Sequence, residues 1–305
     1  MRSRRKTTWL VALVAGLALV SAACGDDSSS SSDTTKPASK GSITVAGSDF
    51  VEQDVVANIY AAALRKIGYT VTVKPHLGKR EIVQPALQNG EVDVLPEYVG
   101  SLLEYLEKGS SSTDLSASVT KLRSLLAGKN LTALDPAGAY DANALVVTKA
   151  TADKYKLEKV SDLTAVASRL SLGGPPECPT RPLCAPGYKD KYGIEFKSFK
   201  PLDGGGPITK KALTDGSIDV ALLFSSDIPA DTVVLKDDKN LQPAENLIPV
   251  LRTDKAKADV TAALNAVSQK LTLDELVELN QKVNGADKPD PADVANDWAK
   301  EYKVG

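Results

Sequence analysis

The chain has 305 residues, of which 42% are hydrophobic and 25% charged, and a formal charge of −2. That is the balance of a soluble globular protein, and the length is too great for one small core, so one or two domains are expected. Without Arg2, Arg4, Arg5 and Lys6, 33 basic residues face 39 acidic ones, a net of −6 that argues against nucleic-acid backbone binding, which runs on clustered Lys and Arg.

Those four residues form a positive start, residues 9–20 an apolar run of 12, and Ser21-Ala22-Ala23-Cys24 a small-residue cleavage site. The run is shorter than the ~20 apolar residues a membrane-spanning helix needs. Cys24 sits where a bacterial lipoprotein carries its lipidated cysteine, although Ser21 stands where Leu is more usual. The Asp-, Ser- and Thr-rich stretch that follows cannot bury enough apolar surface to fold and reads as a tether. Residues 1–23 are thus expected to be a signal peptide and 24–42 a lipid-anchored flexible tether. The protein is expected to be exported and held on the outer face of the cytoplasmic membrane. The alternative is an ordinary cleaved signal peptide with a disordered mature start. Ser3-Arg4-Arg5 hints at a twin-arginine signal, but Thr7 and Thr8 stand where that signal wants apolar residues, which favours Sec export.

The next residues alternate between strand and helix patterns. A strand is predicted over 43–47, and a helix over 51–67 with Val55, Val56, Ile59, Tyr60, Ala63, Leu64 and Ile67 on one face. A strand over 68–75 stops at Pro75, and a helix end at Ala86-Leu87 leads through Gly90 into a buried strand closing on Glu97-Tyr98.

This pattern recurs 126 residues later, where 212–224 repeats 86–98 and sets Phe224 opposite Tyr98. Upstream, 193–201 matches 68–75 with one inserted residue, and 170–174 matches 43–47. Each half reads strand–helix–strand–helix–strand, the pattern of a parallel sheet covered by helices. The period is too long for a solenoid, so two α/β lobes of one topology are expected. Residues 143–148 form a strand leading into the second half, and 246–251 the return. Helices over 260–270, 273–283 and 292–302 go back onto the first lobe. Lobe I is therefore 43–145 plus 250–305, lobe II is 146–249, and the two crossing strands make a hinge over a cleft.

Cys178 and Cys184 bracket Pro179-Thr180-Arg181-Pro182-Leu183. Two cysteines this close, in a proline-stiffened loop of an exported protein, read as a disulfide; free thiols are the alternative. His76 is the only histidine, and no metal site is expected.

In open α/β sheets ligands sit beyond the carboxyl ends of the strands. That places Ser48, Asp49, Phe50, the turn carrying Arg80, Glu97, Tyr98 and Ser101 on one wall. Asp203, Gly204-Gly205-Gly206, Thr209, Phe224, Ser225, Ser226 and Asp227 fall on the other. Enzyme readings have little support: no Gly-x-Ser-x-Gly, phosphate loop or Gly-x-Gly-x-x-Gly motif occurs. Asp49 and Glu97 are a carboxylate pair of unknown separation. Binding without turnover, with no cofactor, is the expected activity.

Three motifs carry a family resemblance. Gly47-Ser48-Asp49-Phe50-Val51-Glu52-Gln53, Leu77-Gly78-Lys79-Arg80-Glu81-Ile82-Val83-Gln84-Pro85-Ala86-Leu87 and Asp93-Val94-Leu95-Pro96-Glu97-Tyr98-Val99-Gly100-Ser101 resemble the ProX-like osmoprotectant-binding proteins of ABC importers. The resemblance runs from Ile43 to the C-terminus. It implies a two-lobed periplasmic-binding-protein (Venus-flytrap) fold, a small-molecule solute, and a permease and its ATPase as partners. Contact with the membrane is expected through the lipid anchor on Cys24 only, and a monomer is expected. In that family a tyrosine cage holds a trimethylammonium group by cation–π attraction, ~0.5–2 kcal/mol per ring. Carried over, Tyr98 is a cage tyrosine, Ser101 sits at a carboxylate-contact position, and Phe224 keeps a cage ring without its hydroxyl. The chain departs at Asn143, at Lys200 or Leu202, where further cage tyrosines are expected, and at Ser48, where a longer polar side chain is common. Asp49, Glu97 and Asp203 are candidates to supply the lost attraction as carboxylate charge. The implied ligand is a glycine betaine- or choline-type quaternary amine. The alternatives are a different polar or phenolic solute, or a sensor subunit not used for uptake.

Overall fold

A computed structural model describes residues 39–305; the signal peptide, Cys24 and nearly all of the expected tether lie outside the described residues. From the N-terminal side the chain forms β1 (Ser42–Ala46), α1 (Val51–Lys66), β2 (Thr70–Lys74), α2 (Arg80–Asn89), β3 (Val94–Tyr98), α3 (Val99–Leu106), α4 (Leu115–Ala127) and β4 (Leu131–Ala133). It continues through β5 (Asn143–Thr148), α5 (Lys149–Tyr155), β6 (Ser171–Gly174), α6 (Ala185–Tyr192), β7 (Ser198–Pro201), α7 (Pro207–Thr214), β8 (Val220–Phe224) and β9 (Thr232–Val234). It ends with β10 (Leu247–Arg252), α8 (Ala258–Lys270), α9 (Leu273–Asn284) and α10 (Pro291–Glu301).

These strands make two five-stranded sheets, ordered β2-β1-β3-β10-β4 and β7-β6-β8-β5-β9. The order is the same in both, so the repeat is a repeat of topology. In each sheet the strands of the repeat run parallel, as expected. The neighbours β10, β4, β5 and β9 add antiparallel pairs, so the sheets are mixed rather than wholly parallel. The cause is connectivity. A strand that enters from the other lobe has no crossover helix to reverse it and arrives antiparallel.

The repeat is also written in single residues. Asp93 Oδ2 accepts from the Thr44 N–H at 2.8 Å, pinning the start of β3 to β1. Asp219 Oδ2 accepts from the Ser171 N–H at 2.8 Å and does the same for β8 and β6. Gly90 and Gly216, at φ +81° and +74°, both adopt the left-handed conformation that the helix-to-strand turn needs and that a side chain would strain.

Helix α1 has acidic Glu52 and Asp54 in its first turn and basic Arg65 and Lys66 in its last, matching its dipole. The sequence predicts one buried face, but Ala57, Ala61 and Ala62 are buried as well. Their small side chains let α8 and α10 close over the far side, and Trp298, Leu264 and Val260 join Val55, Ile59 and Tyr60 in one core. The three C-terminal helices pack around α1, with α8 also touching β10. The predicted strand over 193–201 shrinks to β7. Gly193 caps α6 in the left-handed conformation, Ile194 is buried, and the Lys197 N–H bonds to Ala167 and Leu170 carbonyls.

The second lobe holds the disulfide between Cys178 and Cys184, both fully buried beside Tyr188. The chain passes between the sheets twice. Tyr140 and Asn246 form an antiparallel bridge at the crossing, reinforced by Asn246 Nδ2 to the Ala137 carbonyl at 2.9 Å. Strand β5 lies wholly in the second sheet and β10 wholly in the first.

Candidate functional site

The carboxyl ends of β3 and β8 face each other across a cleft of about 520 Å³. Lobe I contributes Ser48, Phe50, Glu52, Gln53, Arg80, Glu97, Tyr98 and Ser101; Phe224 ends β8, Ser226 and Asp227 follow it, and Asp141 comes from the first crossing. Tyr98 is buried, whereas Phe50 and Phe224 each leave 43% of their surface open. Phe50 stacks on Tyr98 with ring centroids 6.3 Å apart and planes 17° apart. Three aromatic rings thus line one cleft, Phe50 and Tyr98 on one wall and Phe224 on the other.

The remaining expected residues divide by what they bond to. Arg80 does not sit in a turn; it opens α2 and forks onto Glu97, Nε at 3.1 Å and Nη2 at 2.9 Å from Oε2. Gln84 Nε2 adds 2.7 Å to Glu97 Oε1, so Glu97 is satisfied inside lobe I. Ser101 Oγ donates to Glu245 Oε1 at 2.9 Å and its N–H to Oε2 at 3.0 Å. Asn143 and Arg181 line an adjoining compartment of about 620 Å³ that shares Ser101, Asp141 and Phe224 with the first. Ser225 holds the crossing itself, accepting from the Ala142 N–H at 3.0 Å.

Asp49, Asp203 and Thr209 are not brought to the cleft. Asp49 is exposed and faces His76 Nδ1 at 3.7 Å, while His76 Nε2 bonds Asp54 at 2.8 Å. Asp203 accepts from the Thr209 hydroxyl at 2.6 Å and from the Ile208 and Thr209 N–H groups, capping the start of α7. Its charge is spent on the helix.

Besides Glu97, the carboxylates that reach the cleft are others. Glu52 accepts from the Tyr98 hydroxyl and from Asn280 Nδ2, the latter at 2.5 Å. Asn280 also reaches across to the Ser226 carbonyl at 2.9 Å. Burial pushes Glu52 up to about 7, and the neighbouring charge of Asp141 pushes the same way. Glu245 is likewise raised to about 7 by burial. Asp141, which accepts from the Ser226 N–H at 3.0 Å, is raised by burial and by Asp227. Burial and the Glu52 charge lift the Tyr98 hydroxyl well above 10, so it stays a donor.

Among these, Glu52 and Gln53 have a sequence signal, because Glu52-Gln53-Asp54 is a polar run opening an otherwise apolar helix. Asp141, Glu245 and Asn280 have none, since only the crossing chain and the returning helix α9 bring them in. The arrangement suits capture of a small cation between ring faces and carboxylates at a hinge.

Two α/β lobes of one topology, joined by two crossings and closing on such a cleft, define a two-lobed solute-binding protein. Residues 41–301 match OpuAC, the substrate binding domain of ABC-type glycine betaine transport system, and the chain belongs to that family. Family members bind solutes for ABC transporters rather than catalyse reactions. The chain is 26% identical over 278 residues to a glycine-betaine-binding protein of Pseudomonas aeruginosa, covering 86% of this chain and 88% of that one. It is 28% identical over 272 residues to the carnitine transport binding protein OpuCC of Listeria monocytogenes, covering 85% and 86%. A solved structure titled as a glycine betaine/carnitine/choline ABC transporter superposes with a TM-score of 0.80 at 27% identity, covering 86% of this chain and 99% of that one.

Proposed function

We propose that this chain captures a quaternary-amine solute outside the cytoplasm and presents it to an ABC permease with its ATPase. The observation that carries the reading is the pairing of Tyr98 and Phe50 on one lobe with Phe224 on the other, beside the Glu52 carboxylate. Ring faces attract an alkylated ammonium that cannot donate hydrogen bonds, and a buried carboxylate adds Coulomb attraction that water screens weakly. Because Asp141 lies on the crossing and Phe224 on the second lobe, a ligand touching both favours the closed cleft. Glycine betaine, choline and carnitine are the candidates, as the names of the relatives also suggest. Calorimetric titration with these three, with proline and a phenol as controls, tests it. Micromolar or tighter binding of at least one quaternary amine supports the reading, and binding of a control alone contradicts it.

The same reading includes a monomer, and a lipid tether on Cys24 that the apolar run and the Ser-rich segment around it support. Among the described residues no helix is long and apolar enough to cross a membrane. Cys24→Ala should move the protein from the membrane fraction to the soluble one; wild-type protein found wholly soluble refutes the anchor.

A further inference from the structure

The cleft's cations are already engaged, and several of its anions are not. Of the two arginines that line it, Arg80 is forked onto Glu97 and Arg181 Nη1 is 3.5 Å from Glu177, while Lys210, outside the lining, lies 2.5 Å from Asp227. Glu52, Asp141 and Glu245 line the two compartments and, among the described residues, none of the three is in an ion pair. Their hydrogen-bond donors are the neutral groups of Tyr98, Asn280, Ser226 and Ser101 together with backbone N–H. Gln53 adds a second anomaly. It is 1% exposed and lines the cleft, yet neither its Nε2 nor its Oε1 has a hydrogen-bond partner. A buried amide without partners is costly unless a ligand supplies them.

We propose that the cleft selects a solute of net positive charge, an alkylated ammonium bearing a hydroxyl and no carboxylate, with Glu52 and Asp141 as its counter-charge and Gln53 receiving the hydroxyl. This rests on the quaternary-amine reading above and narrows it. A zwitterionic betaine brings a carboxylate beside Glu52, Asp141 and Glu245, where Arg80 is already forked onto Glu97 and Arg181 stands at the exposed rim beside Glu177. A hydroxyl can instead accept from Gln53 Nε2 and donate to Gln53 Oε1, completing both.

Binding of a cation is then linked to protons. Glu52 faces Tyr98, Asn280 and Asp141; Asp141 faces Ser226, Asp227 and Glu245; Glu245 faces Ser101 and, at longer range, Arg80. The ligand's positive charge favours the ionised carboxylates, so its arrival releases protons. Affinity for a cation rises as pH passes upward through about 7, where Glu52 and Glu245 titrate. Affinity for a net-neutral zwitterion changes less.

The test is titration calorimetry of the purified wild-type protein with choline, glycine betaine and carnitine at pH 6 and pH 8, repeated for Glu52→Gln and Asp141→Asn. Choline is expected to bind about tenfold or more tightly than glycine betaine at pH 8 and to weaken at pH 6. Glu52→Gln or Asp141→Asn should weaken choline about tenfold and glycine betaine by a clearly smaller factor. Glycine betaine or carnitine binding as tightly as choline overturns the charge selection and leaves the quaternary-amine reading standing. Failure of all three ligands to bind overturns both. The wild-type comparison holds even if a variant fails to fold.

Discussion

The Tyr98 hydroxyl donates to the Glu52 carboxylate, joining the aromatic end of β3 to the first turn of α1 inside the cleft. One residue offers a ring face and the other a charge, and each fixes the other's orientation. Tyr98→Phe keeps the ring but leaves a buried carboxylate short of one donor. Ligand-free stability should fall by about 1–3 kcal/mol, read by denaturant titration, while ligand affinity falls less than in Tyr98→Ala.

Burial makes Glu52 a source of pH-dependent instability. Its carboxyl ionises near 4.5 when unperturbed and near 7 in the fold. Between those values the folded state holds the proton more tightly, so the stability this group contributes falls as pH rises from about 4.5 to about 7. Glu52→Gln should abolish that part of the slope. The variant should be more stable than wild type at pH 8 by on the order of 1–3 kcal/mol, and the two should converge near pH 4. Ligand-free melts across the pH range check the difference directly.

Tyr98 and Phe224 are equivalent in the repeat but not in burial, at 7% and 43% exposure. Phe224→Ala should weaken ligand binding roughly 5- to 30-fold with little change in ligand-free melting temperature. Tyr98→Ala removes a buried ring as well and should lower the melting temperature clearly, since such deletions cost ~3–5 kcal/mol. Symmetry alone predicts that the two variants behave alike, and the packing says otherwise. Paired melts and titrations separate the two roles.

The Cys178–Cys184 bridge closes a short loop that Gln242 Nε2 ties to the second crossing through the Leu183 carbonyl at 3.0 Å. Peptide mapping without reduction should recover this pair joined. Reduction should lower stability by roughly 2 kcal/mol, the entropic worth of so short a loop. Quantitative alkylation of both thiols before reduction would refute the bridge.

What the sequence reveals depends on whether proximity is carried by the repeat. The matches of 86–98 to 212–224 are enough to place Tyr98 and Phe224 on opposite walls, because a strand of fixed length ends at a fixed height in its sheet. Asp203 and Thr209 look like wall residues by the same rule, but a carboxylate beside a helix start is taken by the orphan N–H groups first. Asp141 and Asn280 reach the cleft by the crossing and by α9, whose docking is set by apolar packing far from the site. No local pattern encodes such a meeting. The mixed sheets follow from the same limit, since strand direction in β5 and β10 is decided by which lobe the chain comes from.

The most direct test of the two-wall site is a crystal structure of the protein with choline bound. The account predicts the ammonium nitrogen within about 6 Å of the ring centroids of both Tyr98 and Phe224, with Glu52 beside it and the cleft closed. A ligand lodged away from either ring, or contacting only one lobe, would contradict it.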